Sequence, residues 1–115
     1  MNHPLHKPLI YLVTNGGADS GNFKLNKREI LEKVLFAAKA GVSMIQIREK
    51  SLSALLLFDL TEAAFKITRE TDAKLLVNGR ADIALAAGAD GVHLPADGLS
   101  ANVVRRSFQI GRAHV

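Results

Sequence analysis

The 115-residue chain has the length of one ordinary domain, with 48% apolar residues, 23% charged residues and a net charge of +4. Such a composition is typical of a globular protein and excludes a disordered chain. The basic residues are scattered, with Lys27-Arg28 and Arg105-Arg106 as the only adjacent pairs. The positive charge therefore fits a phosphorylated small molecule better than nucleic acid.

The sequence contains no cysteine, which excludes a disulfide framework and a thiolate metal site. Its apolar stretches are too short to span a membrane, and the apolar segment near the N-terminus is not followed by a signal-peptide cleavage site. These features predict a cytoplasmic protein without a membrane partner.

The first half of the chain alternates strand, helix and strand. Residues 9–14 (LIYLVT) predict a strand and residues 15–25 a Gly/Asn/Ser loop. Apolar residues at helical spacing then predict a helix that Asn26 caps and that Gly41 ends in a left-handed conformation. Residues 43–48 (SMIQIR) predict the second strand.

The second half of the chain continues this alternation of helices and strands. It predicts a helix capped by Ser53, a strand over 73–78, a short helix over 81–88, a strand over 91–94 and a helix from Ser100 through Arg106. Strands that alternate with helices of this length predict right-handed βαβ units and a parallel sheet.

Asn78-Gly79 lies between two apolar segments, where Asn-Gly is a strong hairpin signal. The following segment is rich in alanine and carries Ile83 at a helical offset from Ala86 and Ala87, which favours a helix. We therefore interpret Asn78-Gly79 as a tight turn between a strand and a helix.

The chain also contains a short internal sequence repeat. Residues 40–47 and 87–94 share one plan, in which a small residue and a helix-stopping glycine precede an apolar-polar-apolar strand. Repeated units of this kind fit a (β/α) barrel, although a doubly wound sheet would also contain them.

Polar residues alternate with apolar ones at the end of the second predicted strand. In a barrel, Gln46 and Arg48 would face inward near the C-terminal mouth, and Lys50 would continue this set into the loop. Arg48 and Lys50 suit phosphate oxygens, while Gln46 can donate and accept hydrogen bonds at a heterocycle. The structural alternative is a surface ion pair of Arg48 or Lys50 with Glu49.

Two further candidates end the third and fourth predicted strands. Asn78 is followed by glycine, which allows a ligand to approach the backbone, but it could instead cap the next helix. His93 could be a hydrogen-bonded histidine of the barrel interior, or a base or hydrogen-bond donor to substrate. No residue spacing here matches a protein-only metal site, a nucleophilic triad or a glycine-rich phosphate cradle.

Three segments together resemble the family of thiamine phosphate synthase and its relative, thiazole tautomerase: LIYLVT, AAKAGVSMIQIREKSLS and LLVNGRADIALAAGADGVHL. The resemblance implies a (β/α)8 TIM barrel that acts on thiazole phosphates in thiamine biosynthesis. Residues 1–115 would be a single domain, an N-terminal portion of that barrel with about four and a half βα units and parallel strands.

The resemblance also implies roles for individual residues. Gln46, Arg48 and Lys50 match the family's Gln-x-Arg-x-Lys motif for the pyrimidine and the diphosphate, and Asn78 matches a residue near the same group. Synthases of the family join a thiazole phosphate to a pyrimidine methyl diphosphate, with release of diphosphate and help from Mg²⁺. The expected partners are therefore a phosphorylated thiazole and possibly this pyrimidine diphosphate.

Two glycines depart from the family pattern. Synthases typically read Asn-Asp-Arg at residues 78–80 and Gly-Gln-Glu-Asp at residues 95–98, so that Gly79 and Gly98 replace both acidic metal ligands. Asp97 is a weak candidate to replace them from one position away.

The missing carboxylates favour one branch of the family. Mg²⁺ prefers carboxylate oxygens beside phosphates, whereas isomerisation of a thiazole phosphate needs proton transfer and no metal. The sequence therefore favours a metal-independent, tautomerase-like isomerase, with His93 as the candidate catalytic residue and no certain cofactor. The first alternative is a synthase that depends on Mg²⁺, with Asp97 as its ligand.

The length suggests a fragment, because such barrels usually need at least about 200 residues. The tail IGRAHV, residues 110–115, resembles the start of the family's fifth strand but also a translated sequencing adapter. Open sheet edges would favour self-association into a homo-oligomer. A second alternative is therefore an inactive half barrel that only binds phosphate ligands or self-associates.

Overall fold

The computed structural model describes residues 11–94, so the predicted helix from Ser100 to Arg106, Asp97 and Gly98 lie outside the described residues. The elements are β1 Tyr11–Val13, α1 Phe23–Lys39, β2 Met44–Ile47, α2 Ala54–Thr68, β3 Lys74–Asn78, α3 Ala81–Ala87 and β4 Gly91–His93. The predicted alternation of strands and helices is confirmed over this range. Within it, no helix combines the length and the apolar character needed to cross a bilayer.

The four strands form one parallel sheet in the order β1-β2-β3-β4. Each strand thus pairs with the next one in the chain, whereas a doubly wound sheet reverses its order at a switch point. Helix α1 packs against α2, and α2 packs against α3, as expected when the helices cover one face of the sheet. This winding favours a barrel over the doubly wound alternative, and the parallel pairing of β3 with β4 excludes a hairpin at Asn78-Gly79.

The covered face of the sheet forms the core. Ile45, Ile47, Leu75 and Val77 are fully buried there, and each contributes about 1.5–3 kcal/mol relative to an exposed side chain. The residues between them point to the opposite face, because side chains alternate along a strand. This uncovered face carries the polar residues of interest.

Helix α1 begins earlier than predicted. It starts at Phe23, and Asn26 lies in its first turn, where the side-chain Nδ2 donates to the Asn22 carbonyl oxygen at 3.2 Å. The prediction that Asn26 caps this helix was wrong because Asp19 organises the preceding loop. Its Oδ1 accepts the N–H groups of Gly21 and Asn22, which turns the chain into the helix before Asn26.

The predicted cap of α2 and the predicted stop of α1 are confirmed. Ser53 caps α2, with its Oγ accepting the Leu56 N–H at 3.3 Å. Gly41 follows α1 at φ +94°, and the Val42 N–H donates to the Ala37 carbonyl oxygen at 3.0 Å. This pattern is a Schellman motif, in which glycine adopts the left-handed conformation at little steric cost.

Candidate functional site

Four side chains form a line of hydrogen bonds across the uncovered face of the sheet. Gln46 donates through Nε2 to Tyr11 Oη at 3.1 Å and accepts at Oε1 from Asn78 Nδ2 at 2.7 Å. Asn78 Nδ2 also lies 3.5 Å from His93 Nδ1, which accepts in the tautomer with its proton on Nε2. We call Tyr11, Gln46, Asn78 and His93 the polar ladder.

The strand register explains why these four residues meet. Gln46 lies opposite Val13 and Leu76, so its partners Tyr11 and Asn78 are each two residues from the register position. Long side chains reach such diagonal neighbours across adjacent strands. Asn78 and His93 lie directly opposite each other.

The ladder decides one alternative left open by the sequence, the role of Asn78. The side chain of Asn78 bonds to Gln46, while α3 is preceded by Arg80 and has no side-chain cap, so Asn78 does not cap that helix. Gln46 is 4% exposed and faces inward as predicted. Tyr11 was missed as a site residue. Val13 lies opposite Gln46, and Tyr11, two residues before Val13, lies on the same face because side chains alternate along a strand.

A cavity of about 210 Å³ lies beside the ladder, at the ends of β2 and β3. Its lining includes Lys50, Asn78 and Arg80, together with Leu52 and Leu57. Lys50 and Asn78, both candidates from the sequence, therefore lie at one cavity. An ammonium and a guanidinium at one small cavity suit an anionic ligand.

Arg48 lies on the other side of Lys50, towards β1. Its side chain is exposed, and its backbone N–H donates to Thr14 Oγ1 at 2.8 Å. Of the two cations of the predicted motif, Lys50 therefore lines the cavity and Arg48 does not.

Arg80 was missed as a site residue, although it directly follows the Asn78-Gly79 turn. Its Nε and Nη2 donate to the two carboxylate oxygens of Asp82 at 3.1 and 2.9 Å. The hydrogen bond from Arg80 lowers the pKa of Asp82, and the same contact raises the pKa of the guanidinium. Both side chains remain ionised at neutral pH, with Arg80 held near the cavity.

Gly79 forms the tight turn that the sequence predicts. Its φ of +73° lies in the left-handed region, and its N–H donates to the His93 carbonyl oxygen at 2.8 Å. A Cβ at this position would meet nothing within 4 Å. The turn thus leaves open space beside the cavity where a side chain would stand.

Glu49 is the residue whose role differs most from the sequence alternatives. It is 3% exposed, and its carboxylate accepts the N–H groups of Gly16 and Ala18 at 3.0 and 2.8 Å. It makes no ion pair with Arg48 or Lys50, so the surface ion pair considered above was wrong. The sequence held no signal for this, because it depends on the path of the loop after β1.

The described part of the chain contains no cluster of protein ligands that could hold Mg²⁺ by itself. Between residues 11 and 94 no group of three or more His, Asp or Glu side chains could hold a metal ion. Glu49 is already engaged by two N–H groups, and Gly79 supplies no carboxylate. These residues therefore do not form a protein-only metal site, and a Mg²⁺ ion beside them would depend on phosphate oxygens of a ligand for part of its coordination.

Comparison with known proteins agrees with this architecture. A family model described as thiamine monophosphate synthase matches residues 10–113. A putative thiamine-phosphate synthase from Geobacter sulfurreducens is 43% identical over 103 residues, which cover 90% of this chain and 46% of that protein. A putative thiamine-phosphate synthase 2 from Aquifex aeolicus is 42% identical over 99 residues, covering 86% and 50%.

A solved structure is similar as well. Thiamine phosphate pyrophosphorylase from Pyrococcus furiosus superposes with a TM-score of 0.64 at 28% identity, covering 85% of this chain and 44% of that one. The chain spans about half the length of the curated relatives it matches, and its parallel sheet corresponds to part of a TIM-like barrel. This chain belongs to the thiamine monophosphate synthase family.

Proposed function

We propose that this chain carries the pyrimidine diphosphate side of a thiamine phosphate synthase site. The proposed reaction joins a thiazole phosphate to a pyrimidine methyl diphosphate and releases diphosphate. One observation carries the proposal: Lys50 and Arg80 line one cavity beside the hydrogen-bonded amides of Gln46 and Asn78. A ligand with a heterocycle and a diphosphate needs both kinds of group within a few ångströms.

The chemistry assigns separate tasks to these residues. As the bond between the pyrimidine methylene carbon and the diphosphate oxygen breaks, the leaving group takes the electron pair and gains negative charge. Lys50 and Arg80 would stabilise that charge through hydrogen bonds from cationic donors. The amides of Gln46 and Asn78 would orient the heterocycle, since each can donate and accept.

The roles given to Lys50, Arg80, Gln46 and Asn78 do not depend on Mg²⁺, and the described residues contain no protein-only site for it. When bound, the ion would neutralise charge on the diphosphate, and Asp97, outside the described residues, is the remaining candidate ligand. A requirement for Mg²⁺ therefore stays part of the synthase proposal.

A second candidate function is the metal-independent isomerisation of a thiazole phosphate. The relatives are named as thiamine-phosphate synthases, so this tautomerase-like function, which the sequence favoured, becomes the alternative. Gly79 supports it, since it leaves the cavity without the acidic side chain typical of synthases. His93, half-buried at the end of the ladder, would then carry the proton.

Product formation separates these functions. The chain is incubated with thiazole phosphate and pyrimidine methyl diphosphate, with Mg²⁺ and with a chelator, and thiamine phosphate is quantified by chromatography. The synthase proposal predicts thiamine phosphate, and its complete absence under both conditions would contradict it.

Parallel samples without the pyrimidine test isomerisation of the thiazole phosphate by NMR. Binding without either turnover would favour the half barrel that only binds phosphate ligands. Self-association and a cytoplasmic location stay predictions, which sedimentation and cell fractionation can test.

A further inference from the structure

Glu49 is a buried carboxylate that none of the roles above uses. It is 3% exposed, and it takes part in none of the ion pairs found between residues 11 and 94, which are Lys27–Asp59, Arg69–Glu70 and Arg80–Asp82. Removing an ionised carboxylate from water costs several kcal/mol unless hydrogen bonds compensate. The groups that donate hydrogen bonds to the Glu49 carboxylate, and so offset the cost of its burial, therefore indicate which segment it holds in place.

Both compensating donors come from the loop between β1 and α1, residues 14–22. Oε2 accepts the Gly16 N–H at 3.0 Å, and Oε1 accepts the Ala18 N–H at 2.8 Å. Hydrogen bonds to an ionised acceptor are about twice as strong as neutral ones. Ala18 is itself only 1% exposed, so this tether is shielded from water.

The tethered β1–α1 loop lies directly against Arg48. Thr14 Oγ1 accepts the Arg48 N–H at 2.8 Å. A Cβ built on Gly16 would lie 3.6 Å from the Arg48 carbonyl oxygen and 3.9 Å from its Nη1. The segment that Glu49 holds thus contacts the backbone of Arg48, and even one carbon atom added at Gly16 would come within van der Waals reach of the Arg48 guanidinium.

The two cations flank Glu49 in the chain and differ from it in exposure. Arg48 and Lys50 are exposed while Glu49 is buried, and Lys50 and Glu49 both line the cavity. Fixing the Glu49 side chain inward therefore fixes the direction in which its two neighbours leave the backbone.

We propose that Glu49 is a positioning residue, whose carboxylate holds the β1–α1 loop at the end of β2 and so sets Arg48 and Lys50 to receive a diphosphate group. Only the ligand in this statement rests on the proposed function. The charge of Glu49 and its positioning role have opposite effects on anion binding. A carboxylate near two cations weakens anion binding by Coulomb's law, so removing its charge alone would tighten binding, whereas losing its positioning role weakens binding.

The first test measures the loop without any ligand. Glu49→Gln removes one acceptor, Glu49→Asp keeps the charge but is one methylene shorter, and Glu70→Gln is the matched control, with a side chain that is 75% exposed. By NMR, amide hydrogen exchange at Gly16 and Ala18 should accelerate about tenfold or more in both Glu49 variants. Exchange unchanged from wild type in both would overturn the proposal.

The second test measures binding of inorganic diphosphate by calorimetry. The Kd of Glu49→Gln should rise about tenfold although a negative charge is lost, and that of Glu70→Gln should stay unchanged. Equal or tighter binding by Glu49→Gln would overturn the positioning role even if the loop amides lose protection.

Two controls keep the outcomes apart. If wild type does not bind diphosphate, the proposed function fails, and the exchange at Gly16 and Ala18 decides by itself whether Glu49 holds the loop. If Glu49→Gln does not fold, Thr14→Val removes only the acceptor of the Arg48 N–H. It should weaken diphosphate binding by about threefold, and unchanged affinity would overturn the proposal.

Discussion

At position 79 the backbone conformation favours glycine, whereas the proposed chemistry favours a carboxylate. The left-handed turn, at φ +73°, favours glycine, while the synthases that the chain resembles place a carboxylate there. Since a Cβ would meet nothing within 4 Å, the space for that carboxylate is present. An aspartate at position 79 therefore costs free energy because of the left-handed backbone conformation, and not because of a steric clash with neighbouring atoms.

Gly79→Asp should acquire affinity for Mg²⁺ in the presence of diphosphate, because it adds a hard oxygen ligand beside the cavity. Gly79→Ala is the matched control, with the same backbone demand and no carboxylate. Both variants should lower the free energy of unfolding by about 1–2 kcal/mol, measured by urea denaturation. Calorimetry that shows equal Mg²⁺ binding by the two variants would refute the predicted ligand position.

Lys50→Ala should weaken binding of inorganic diphosphate about tenfold, since it removes a cationic donor from the cavity. Lys39→Ala is the control, because Lys39 is exposed in the last turn of α1. It precedes the start of β2, whereas the cavity lies at the end of that strand. Titration calorimetry measures both affinities. An equal loss in the two variants would indicate a general charge effect and not a site.

Asn78→Ala should destabilise the protein by about 1–3 kcal/mol, because it leaves the buried Gln46 Oε1 without its donor. Adding Gln46→Leu should recover part of this loss, since two apolar partners leave no unpaired amide. A double-mutant cycle of urea unfolding measures the coupling. Strictly additive effects would show that the two amides do not stabilise each other.

The site could be predicted only where the pattern of a single strand sufficed. Gln46 and Asn78 follow from strand alternation and from their place at strand ends. The role of Glu49 did not follow, because the charged series Arg48-Glu49-Lys50 is also typical of a solvated loop. Its burial depends on the amides of Gly16 and Ala18, which lie more than thirty residues away in the chain.

At the scale of elements, the ends of helices depend on a few side chains. Ser53→Ala should lower the free energy of unfolding by about 1 kcal/mol, because the Leu56 N–H loses its acceptor. Ser51→Ala, at an exposed position two residues earlier, should have little effect. Thermal melts of both variants measure this, and equal melting temperatures would argue against Ser53 as a stabilising cap.

The elements themselves were largely predictable, since hydrophobic periodicity separates strands from helices. Within the described residues all four strands and the helices between them lie where the pattern places them, except that α1 begins earlier. The start of α1 was not predictable from the capping pattern, because Asp19 and Asn22 compete with Asn26 as local turn residues. Such competition between nearby polar side chains is decided by the loop as a whole.

At the scale of the whole molecule, strand order could not be read from the sequence. Both a barrel and a doubly wound sheet contain repeated βα units, and only the pairing of each strand with the next one distinguishes them. The overall charge of +4 predicts a small anionic ligand, because scattered cations attract a small anion without forming a nucleic-acid surface.

Diphosphate affinity should fall as salt rises from low ionic strength to about 0.15 M, where the screening length is about 8 Å. Lys50→Ala should show a weaker salt dependence than wild type, because one attractive charge is gone. Titrations at matched pH in increasing NaCl measure both slopes. A salt-independent affinity would show that charge attraction contributes little to binding.

The polar ladder has a consequence for how the chain reaches its fold. If β3 slipped by one residue against β2, the amide of Asn78 would turn into the apolar layer and Val77 would turn out of it, since side chains alternate along a strand. Such a misaligned intermediate would bury an amide with no partner and be disfavoured. Residues proposed to hold a ligand thus also favour the native register of β3 against β2 during folding.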